Sequence, residues 1–276
     1  MSYWAAGFVQ EMVRRLPYKQ DQVVQMLGNL THGKTRAIVN SARMTLDLRE
    51  AIQRSMFLGT YEPTQTDWFR RCLRPGDIAV DVGASFGYYT TLSSRLVGSA
   101  GRVFAFEPSP VASKVIETAI IESDIKNVVL TKAALGRKAS RVPLFLSNTP
   151  ELHSPSILPF DEAYLPFEIE VIRLDDFEPI ATQGRIRLLK MDVEGYEPDV
   201  LDGMTELVKA GRVENIVCEF NSFWLARNST TPQDLLESFL RCGFEVREKT
   251  TFQKDLIGRH GKRFDLQDIW FARPGV

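Results

Sequence analysis

The sequence has few cysteines and histidines, and neither set has the spacing of a structural site. The three cysteines, Cys72, Cys218 and Cys242, are widely separated and odd in number. This pattern argues against a disulfide framework and favours reduced thiols in a cytoplasmic protein. The three histidines lack the spacing of zinc ligands, so they predict no zinc site.

Charge of one sign and long apolar runs are also lacking. The net charge is −1, which predicts no general attraction to nucleic acid or to an anionic membrane. No apolar run reaches the roughly 18 residues that span a bilayer. The N-terminus lacks the basic start and apolar core of a signal peptide. We therefore expect a cytoplasmic protein without a membrane span and without a nucleic-acid partner.

The most informative segment that is present covers residues 78–88. An apolar run, residues 78–82, leads into a turn with two glycines, Gly83 and Gly87, and a helical pattern follows. A strand, a tight turn and a helix in this order place the turn at the carboxyl edge of an α/β sheet, where ligands bind. The glycines allow the backbone to approach a ligand closely, and the helix N-terminus offers free N–H groups.

A carboxylate ends the next apolar run. Glu107 follows residues 102–106, twenty-four positions after Gly83. An acid at this spacing is placed to accept hydrogen bonds from a ribose diol, as in sites for NAD and for S-adenosylmethionine. The dinucleotide pattern has a glycine where this chain has Ser85, and no arginine follows Glu107 closely. The residues thus favour a nucleoside without a diphosphate, and S-adenosylmethionine fits.

A third strand pattern, residues 186–192, ends in Asp192 and is followed by Glu194. The carboxyl ends of parallel strands meet at one edge of a sheet. We therefore expect the ends that carry Gly83, Glu107 and Asp192 to converge on one crevice.

Strand and helix patterns alternate along the chain, which predicts a parallel sheet with right-handed crossovers. The last two strands are joined by a polar loop and are expected to be antiparallel, an ending that resembles class I methyltransferases. We predict an α/β, Rossmann-like sheet of seven strands, mostly parallel with the last antiparallel, at residues 78–82, 102–107, 127–133, 186–192, 214–220, 243–248 and 267–273. The helical patterns between them cover 88–97, 109–122, 197–210 and 232–242.

Two segments extend this core. We predict that residues 1–60 form an extension of helices and a two-stranded ribbon, and that residues 61–276 form the main domain. Its first helix carries an apolar stripe that we expect to pack on the main domain or on a second subunit, giving a homodimer: Trp4, Phe8, Val9, Met12 and Leu16. An inserted hairpin is predicted at about 137–175, with a long segment, 148–166, that could cover the acceptor.

Several of these motifs together resemble the FkbM family of S-adenosylmethionine-dependent methyltransferases. The resemblance covers about residues 44 to 221 and rests on Gly59-Thr-Tyr-Glu62, Arg74-Pro-Gly-Asp77, Asp81-Val-Gly-Ala-Ser-Phe-Gly-Tyr-Tyr-Thr90, Phe106-Glu-Pro108, Leu174-Asp-Asp176 and Leu189-Lys-Met-Asp-Val-Glu-Gly195. The last block is the most specific. The resemblance implies S-adenosylmethionine as cofactor, S-adenosylhomocysteine as product and a sugar, glycoconjugate or natural-product hydroxyl as acceptor.

The candidate residues fall into two groups. Those expected to bind the cofactor are Glu62, Asp81, Gly83, Ala84, Ser85, Gly87, Tyr88, Glu107, Pro108, Ala133, Ala134 and Asp192. Glu62 is expected near the methionine ammonium group, a role that follows from the family motif. Removing the proton of an alcohol needs a carboxylate or a histidine within reach, and the catalytic candidates are Lys190, Asp192, Glu194 and His153.

Three alternatives accompany this interpretation. The Lys190, Asp192 and Glu194 cluster could instead be an ion network that builds the cleft. Asp192 and Glu194 with Glu219 could bind a divalent cation, although few further ligands are evident, and we predict no metal. The chain could also be a non-catalytic nucleoside-binding module. A dehydrogenase is disfavoured by Ser85 and by the final strand pair.

Overall fold

A computed structural model describes residues 3–16, 18–30, 32–147, 157, 164–182, 184–257 and 263–275. The main sheet forms because apolar residues fill both faces of its strands. Val80, Phe104 and Met191 pack into the apolar cluster on one face, whereas Ala79 and Val103 pack into the cluster on the other. This alternation along each strand is what a sheet covered on both faces requires.

The strand order of this sheet is β11-β13-β10-β9-β3-β4-β5. All pairings within it are parallel except those of β13, which is antiparallel to both neighbours. The class I methyltransferase arrangement predicted from sequence is therefore confirmed. The strands are β3 (Ile78–Val82), β4 (Arg102–Phe106), β5 (Val128–Thr131), β9 (Ile186–Met191), β10 (Asn215–Asn221), β11 (Glu245–Lys249) and β13 (Arg263–Ala272).

We predicted seven strands in the main sheet, and the structure has eight. An eighth strand, β12 (Gln253–Ile257), lies within the polar segment that we expected to be a loop, and it pairs antiparallel with the long β13. Its pairing includes a register shift between Gln253 and Leu256. Such a bulge breaks the alternation of apolar and polar residues by which a strand is detected in sequence.

Helices cover both faces of the sheet and begin at recognisable caps. Ser109 accepts a hydrogen bond from the Ala112 N–H at the start of α6, and Thr231 forms a capping box with Asp234 at the start of α11. The helices of the main domain are α4 (Pro63–Cys72), α5 (Tyr88–Val97), α6 (Pro110–Glu122), α7 (Glu178–Ala181), α8 (Glu197–Asp202), α9 (Thr205–Lys209), α10 (Ser222–Arg227) and α11 (Pro232–Arg241).

The single helix predicted for 197–210 is divided into α8 and α9. The interruption lies at Gly203, where a Cβ atom would come within 2.1 Å of the Gly136 carbonyl oxygen. The chain therefore approaches the backbone of the inserted segment closely at this point, and the helix restarts after it. A contact between residues so far apart in sequence leaves no trace in helical periodicity.

The insertion forms its own three-stranded sheet, in the order β6-β8-β7. Its strands are β6 (Ala134–Leu135), β7 (Ser140–Ser147) and β8 (Tyr164–Ile172). The predicted hairpin is present as the antiparallel pair of β7 and β8. The predicted strand at 127–133 ends at Thr131, because the chain leaves the main sheet there and Ala134 pairs with β8 instead.

The N-terminal extension shares a core with the main domain. Its elements are α1 (Tyr3–Arg14), α2 (Gln20–Leu30), β1 (Lys34–Val39), β2 (Ala42–Asp47) and α3 (Ala51–Leu58). Met44 and Phe57 pack in the same apolar cluster as Tyr88 and Val103 of the sheet layer. The Tyr3 hydroxyl also donates a hydrogen bond to Glu122 at the end of α6.

The apolar stripe of α1 packs against the main domain only in part, because Val9 contacts the shared apolar cluster whereas other members of the stripe are exposed. Phe8 and Met12 are 61% and 56% exposed, respectively. The opposite side of the helix is buried because the Gln10 amide donates to the carbonyl oxygens of Phe57 (2.6 Å) and Ile38 (3.1 Å). The second-subunit contact remains a prediction. In the described part of the chain, no helix has the length and apolar character that crossing a membrane requires.

Candidate functional site

A cavity of about 270 Å³ lies at the carboxyl ends of β3, β4, β9 and β10, and we call it the strand-end cavity. It sits where the strand order reverses direction, between β3 and β9, which is the usual ligand position in open α/β sheets. Its described lining residues are Ile52, Tyr61, Glu62, Val82, Gly83, Ser85, Phe86, Phe106, Glu107, Pro108, Ala134, Leu135, Leu144, Ile157, Asp192, Val193, Glu194, Tyr196 and Glu219.

The turn after β3 is held by close backbone packing. Gly83 has a φ of +76°, and a Cβ there would lie 1.9 Å from the carbonyl oxygen of Asp192. Gly87 caps α5 at a φ of +83°, and its missing Cβ leaves room for Ile116. The two glycines are thus needed to bring strands and helix together. Gly83 and Ser85 also line the cavity, whereas Gly87 does not contribute to its described lining.

Glu107 is aimed at this turn. Its side chain is only 3% exposed, and its carboxylate accepts hydrogen bonds from the backbone N–H groups of Ser85 (2.7 Å) and Ser109 (2.8 Å). Burial raises the pKa of Glu107 to about 7, although the two backbone hydrogen bonds lower it. Each carboxylate oxygen has a second lone pair, so the group can still accept from a ligand in the cavity, which it lines beside Pro108.

Lys190 and Asp192 form an ion pair at the cavity, in which Lys190 is buried and Asp192 is partly exposed. The Lys190 Nζ lies 2.8 Å from the Asp192 carboxylate and 5.0 Å from the centre of the Tyr89 ring. Burial lowers the pKa of Lys190, but the charges of Asp192, Asp81 and Glu62 outweigh it and raise that pKa above its ordinary value. The lysine therefore stays charged and holds Asp192 in place.

Glu62 also lines the strand-end cavity. It caps α4 with a left-handed backbone (φ 40°, ψ 65°), a conformation that costs energy in a residue with a side chain. Its carboxylate accepts a hydrogen bond from the Tyr89 hydroxyl at 2.6 Å. Burial raises the pKa of Glu62, while the positive charge of Lys190 lowers it. The strained backbone fixes this acid at the cavity wall.

Asp81 lies behind the cavity rather than in its lining. It is 1% exposed, and its Oδ2 accepts a hydrogen bond from the Thr90 hydroxyl at 2.6 Å. Its Oδ1 has no hydrogen-bond partner among the described residues. Burial raises the pKa of Asp81, and Lys190 lowers it. The geometry thus gives Asp81 contacts that stabilise the turn.

Of the remaining predicted site residues, some line a cavity and others do not. Ala134 and Glu194 line the strand-end cavity, and Ala84, Tyr88 and Lys190 line a smaller adjoining cavity of about 20 Å³. Ala133 is buried without lining either of them. His153 lies outside the described residues. Among the residues described, no group of three or more acids, histidines or cysteines has the arrangement of a metal site.

Sequence reasoning missed the acid pair formed by Glu219 and Asp268. Glu219 was considered only as a metal ligand, and Asp268 was not considered. They are direct partners in the antiparallel pairing of β10 and β13, which places their side chains on the same face. The Asp268 carboxylate accepts a hydrogen bond from the Gln65 amide at 2.6 Å. Glu219 directly follows the apolar residues 216–218 of β10, as Glu107 follows the apolar run before it, and that signal was available in the sequence.

Glu197 is a second residue that sequence reasoning missed. Its carboxylate accepts hydrogen bonds from the N–H groups of Val193 (3.1 Å) and Gly195 (3.3 Å). Glu194, between them, has a φ of 52°. Burial raises the pKa of Glu197 to about 7, and the backbone donors lower it. This side chain therefore fixes the turn that presents Glu194 to the cavity.

Comparison with known proteins identifies the family to which this chain belongs. The model of the methyltransferase FkbM domain matches residues 81–246, which is more than half of the chain. Methyltransferase sdnD from Sordaria araneosa is 28% identical over 156 residues, 46% of this chain and 60% of that protein. The ribosomal RNA large subunit methyltransferase E of Bdellovibrio bacteriovorus is 32% identical over 60 residues, 22% of this chain and 31% of that one. The chain thus spans less than two thirds of either relative.

Among solved structures, the methyltransferase FkbM from Methylobacillus flagellatus KT superposes with a TM-score of 0.44 at 14% identity. The superposition covers 79% of this chain and 54% of that protein.

Proposed function

Since this chain belongs to the methyltransferase FkbM domain family, we propose that it is an S-adenosylmethionine-dependent O-methyltransferase acting on a hydroxyl of a sugar, glycoconjugate or natural product. The observation that carries the proposal is the charge of the strand-end cavity. Its described lining contains five carboxylates and no lysine, arginine or histidine: Glu62, Glu107, Asp192, Glu194 and Glu219.

This donor set fits a cationic nucleoside and disfavours a diphosphate. A pyrophosphate would need cations or free helix N–H groups, whereas a sulfonium and an ammonium group are stabilised by nearby carboxylates. S-adenosylmethionine supplies the methyl group from its sulfonium when bound. We assign Glu107 to accept hydrogen bonds from the ribose hydroxyls and Glu62 to accept them from the ammonium group, because both carboxylates line the cavity. The apolar wall formed by Ala134, Leu144 and Ile157 suits the adenine or the acceptor.

The chain's own residues would supply alignment and proton transfer. Methyl transfer to oxygen is an in-line displacement, so much of the rate comes from holding the acceptor in position. Asp192 is fixed by Lys190, and Glu194 is fixed by the turn that Glu197 closes. Both carboxylates line the cavity. We assign them to orient the acceptor hydroxyl and Lys190 to position Asp192.

The test is turnover with a panel of sugars, glycoconjugates and natural-product alcohols, measured as formation of S-adenosylhomocysteine. With a productive acceptor, Asp192→Asn should slow transfer by at least about tenfold at saturating cofactor, because it removes the oriented charge and weakens its pairing with Lys190. Asp202→Asn, at a carboxylate that is 60% exposed on α8, is the control. Full activity of Asp192→Asn in a folded protein would contradict the assignment, and a protein that binds nucleoside without any turnover would support a non-catalytic module.

A further inference from the structure

The end of β10 brings a fifth acid to the strand-end cavity. Cys218 pairs with Met191 in the parallel register, so the next residue, Glu219, stands beside Asp192 and lines the same cavity. Its cross-strand partner on β13 is Asp268, whose carboxylate accepts a hydrogen bond from Gln65 of α4. We refer to Glu219 and Asp268 as the carboxyl pair. The pair therefore lies on the β10 side of the cavity, beyond Asp192.

The carboxyl pair differs from Asp192 in its partners. Asp192 is bound to the ammonium group of Lys190 at 2.8 Å, so its carboxylate is already engaged by a cation. In the described part of the chain the Glu219 carboxylate has no hydrogen bond or ion pair with another side chain, although it is turned toward a cavity. Of Asp192, Glu219 and Asp268, Glu219 is therefore the acid whose ionised form could accept a proton from a molecule in that cavity.

The groups that face the carboxyl pair from the surrounding elements are mostly negative. Asp192 and Glu194 approach from the end of β9, and Glu62 approaches from the start of α4. Lys190 is the cation that acts on Asp268, and Gln65 is its neutral donor. Burial, followed by these negative charges, raises the pKa of Glu219 well above its ordinary value and that of Asp268 to about 7. Without a cation in the cavity, two such neighbouring acids retain at least one proton near neutral pH.

We propose that the carboxyl pair is the proton acceptor of methyl transfer and that a cationic cofactor entering the cavity ionises it, an inference that rests on the proposed function. The positive charge of the sulfonium compensates the surrounding carboxylates, so the pair releases its proton when the cofactor binds. The base is therefore formed only when the methyl donor is present. Because the pair is ionised only while the cofactor is bound, the apo protein avoids the free-energy cost of burying a fully ionised cluster of acids.

The chemical step then balances. The acceptor oxygen forms a bond to the methyl carbon as the bond from that carbon to sulfur breaks, and the electron pair of the broken bond stays on sulfur. The hydroxyl proton passes to the Glu219 carboxylate, and the negative charge of the neighbouring Asp268 favours this protonation. S-adenosylhomocysteine lacks the positive charge of the sulfonium, so product formation leaves the pair in its protonated form.

The test needs no acceptor. Binding of S-adenosylmethionine and of S-adenosylhomocysteine is measured by calorimetry near pH 7 in two buffers of different ionisation enthalpy, which gives the protons released. The two ligands share the ribose and the methionine group, so their difference reports the sulfonium. We expect S-adenosylmethionine to release between about 0.3 and 1 proton more than S-adenosylhomocysteine. Glu219→Gln and Asp268→Asn should each abolish most of that excess.

The matched control is Glu206→Gln, a carboxylate on α9 that is 71% exposed. It should leave the excess unchanged. Equal proton release for the two ligands in the wild type, or an excess that survives in both pair variants, would overturn the proposal. Binding of S-adenosylhomocysteine within a few-fold of wild type, measured in the same titrations, shows that each variant is folded.

A second readout separates this proposal from the proposed function. Where a productive acceptor is found, Glu219→Gln should slow transfer by about 10²–10⁴-fold with cofactor affinity retained, and Glu219→Asp should recover part of the rate. If neither nucleoside binds the wild type, the proposed function fails. If both bind and transfer proceeds normally in Glu219→Gln, the cofactor assignment stands and the carboxyl pair is not the proton acceptor.

Discussion

Replacing Lys190 with methionine tests whether a single buried cation stabilises the acid-rich floor of the cavity. Lys190 is 6% exposed and lies 2.8 Å from Asp192, with the Tyr89 ring beneath its ammonium group. Removing one partner of a buried ion pair leaves an uncompensated charge and costs about 3–5 kcal/mol. Methionine keeps most of the apolar stem, so packing contributes little to the loss. We expect the free energy of unfolding to fall by about that amount.

The assay is equilibrium unfolding in urea near pH 7, followed by circular dichroism. The matched control is Lys209→Met on α9, where the lysine is 68% exposed and pairs with Glu206 three residues away. Such a surface pair is worth less than about 1 kcal/mol. The double variant Lys190→Met with Asp192→Asn removes the stranded charge as well and should recover part of the loss.

The reasoning would be refuted if Lys190→Met and Lys209→Met changed the unfolding free energy equally. It would also be refuted if the double variant were as unstable as the sum of its two single changes. Either result would mean that the negative charges at the cavity are compensated elsewhere.

Two further perturbations follow from the same geometry. Gly83→Ala places a Cβ 1.9 Å from the Asp192 carbonyl oxygen, whereas Gly76→Ala, also at a positive φ, meets nothing within 4 Å. Gly83→Ala should therefore lower the melting temperature much more than Gly76→Ala, and equal shifts would rule out the clash. The raised pKa values of Glu107 and Asp268, both about 7, mean that the folded apo protein binds protons that the unfolded chain releases near pH 4. Urea midpoints should fall as pH rises from about 5 to about 8, and a rise over this interval would contradict the burial of these acids in their protonated forms.

The sequence was most informative where chemistry and secondary structure coincide. The strand ends at Gly83, Glu107 and Asp192 could be placed at one edge because strand and helix patterns alternate and each apolar run stops at a polar residue. The antiparallel β13 was expected because a polar segment without a helical period precedes it. Local patterns of this kind depend on residues that are close in sequence.

What could not be predicted depends on contacts between distant segments. The carboxyl pair requires the register of β10 against β13, which joins residues 219 and 268. The orientation of α1 is set by the hydrogen bonds of Gln10 with Phe57 and Ile38, and it leaves Phe8 and Met12 exposed. The break at Gly203 depends on the backbone of Gly136. Periodicity carries no information on any of these partners.

The most direct test of the central claim is calorimetric binding of S-adenosylhomocysteine to the wild type and to Glu107→Ala. In the proposed function Glu107 accepts hydrogen bonds from the ribose hydroxyls, and each hydrogen bond to a charged group is worth about 1.5–3 kcal/mol. The wild type should bind one equivalent, Glu107→Ala should bind at least about tenfold more weakly, and Glu117→Ala, at an exposed acid of α6 that pairs with Lys114, should match the wild type. Absence of binding to the wild type, or unchanged affinity in a folded Glu107→Ala, would contradict the assignment of this cavity to S-adenosylmethionine.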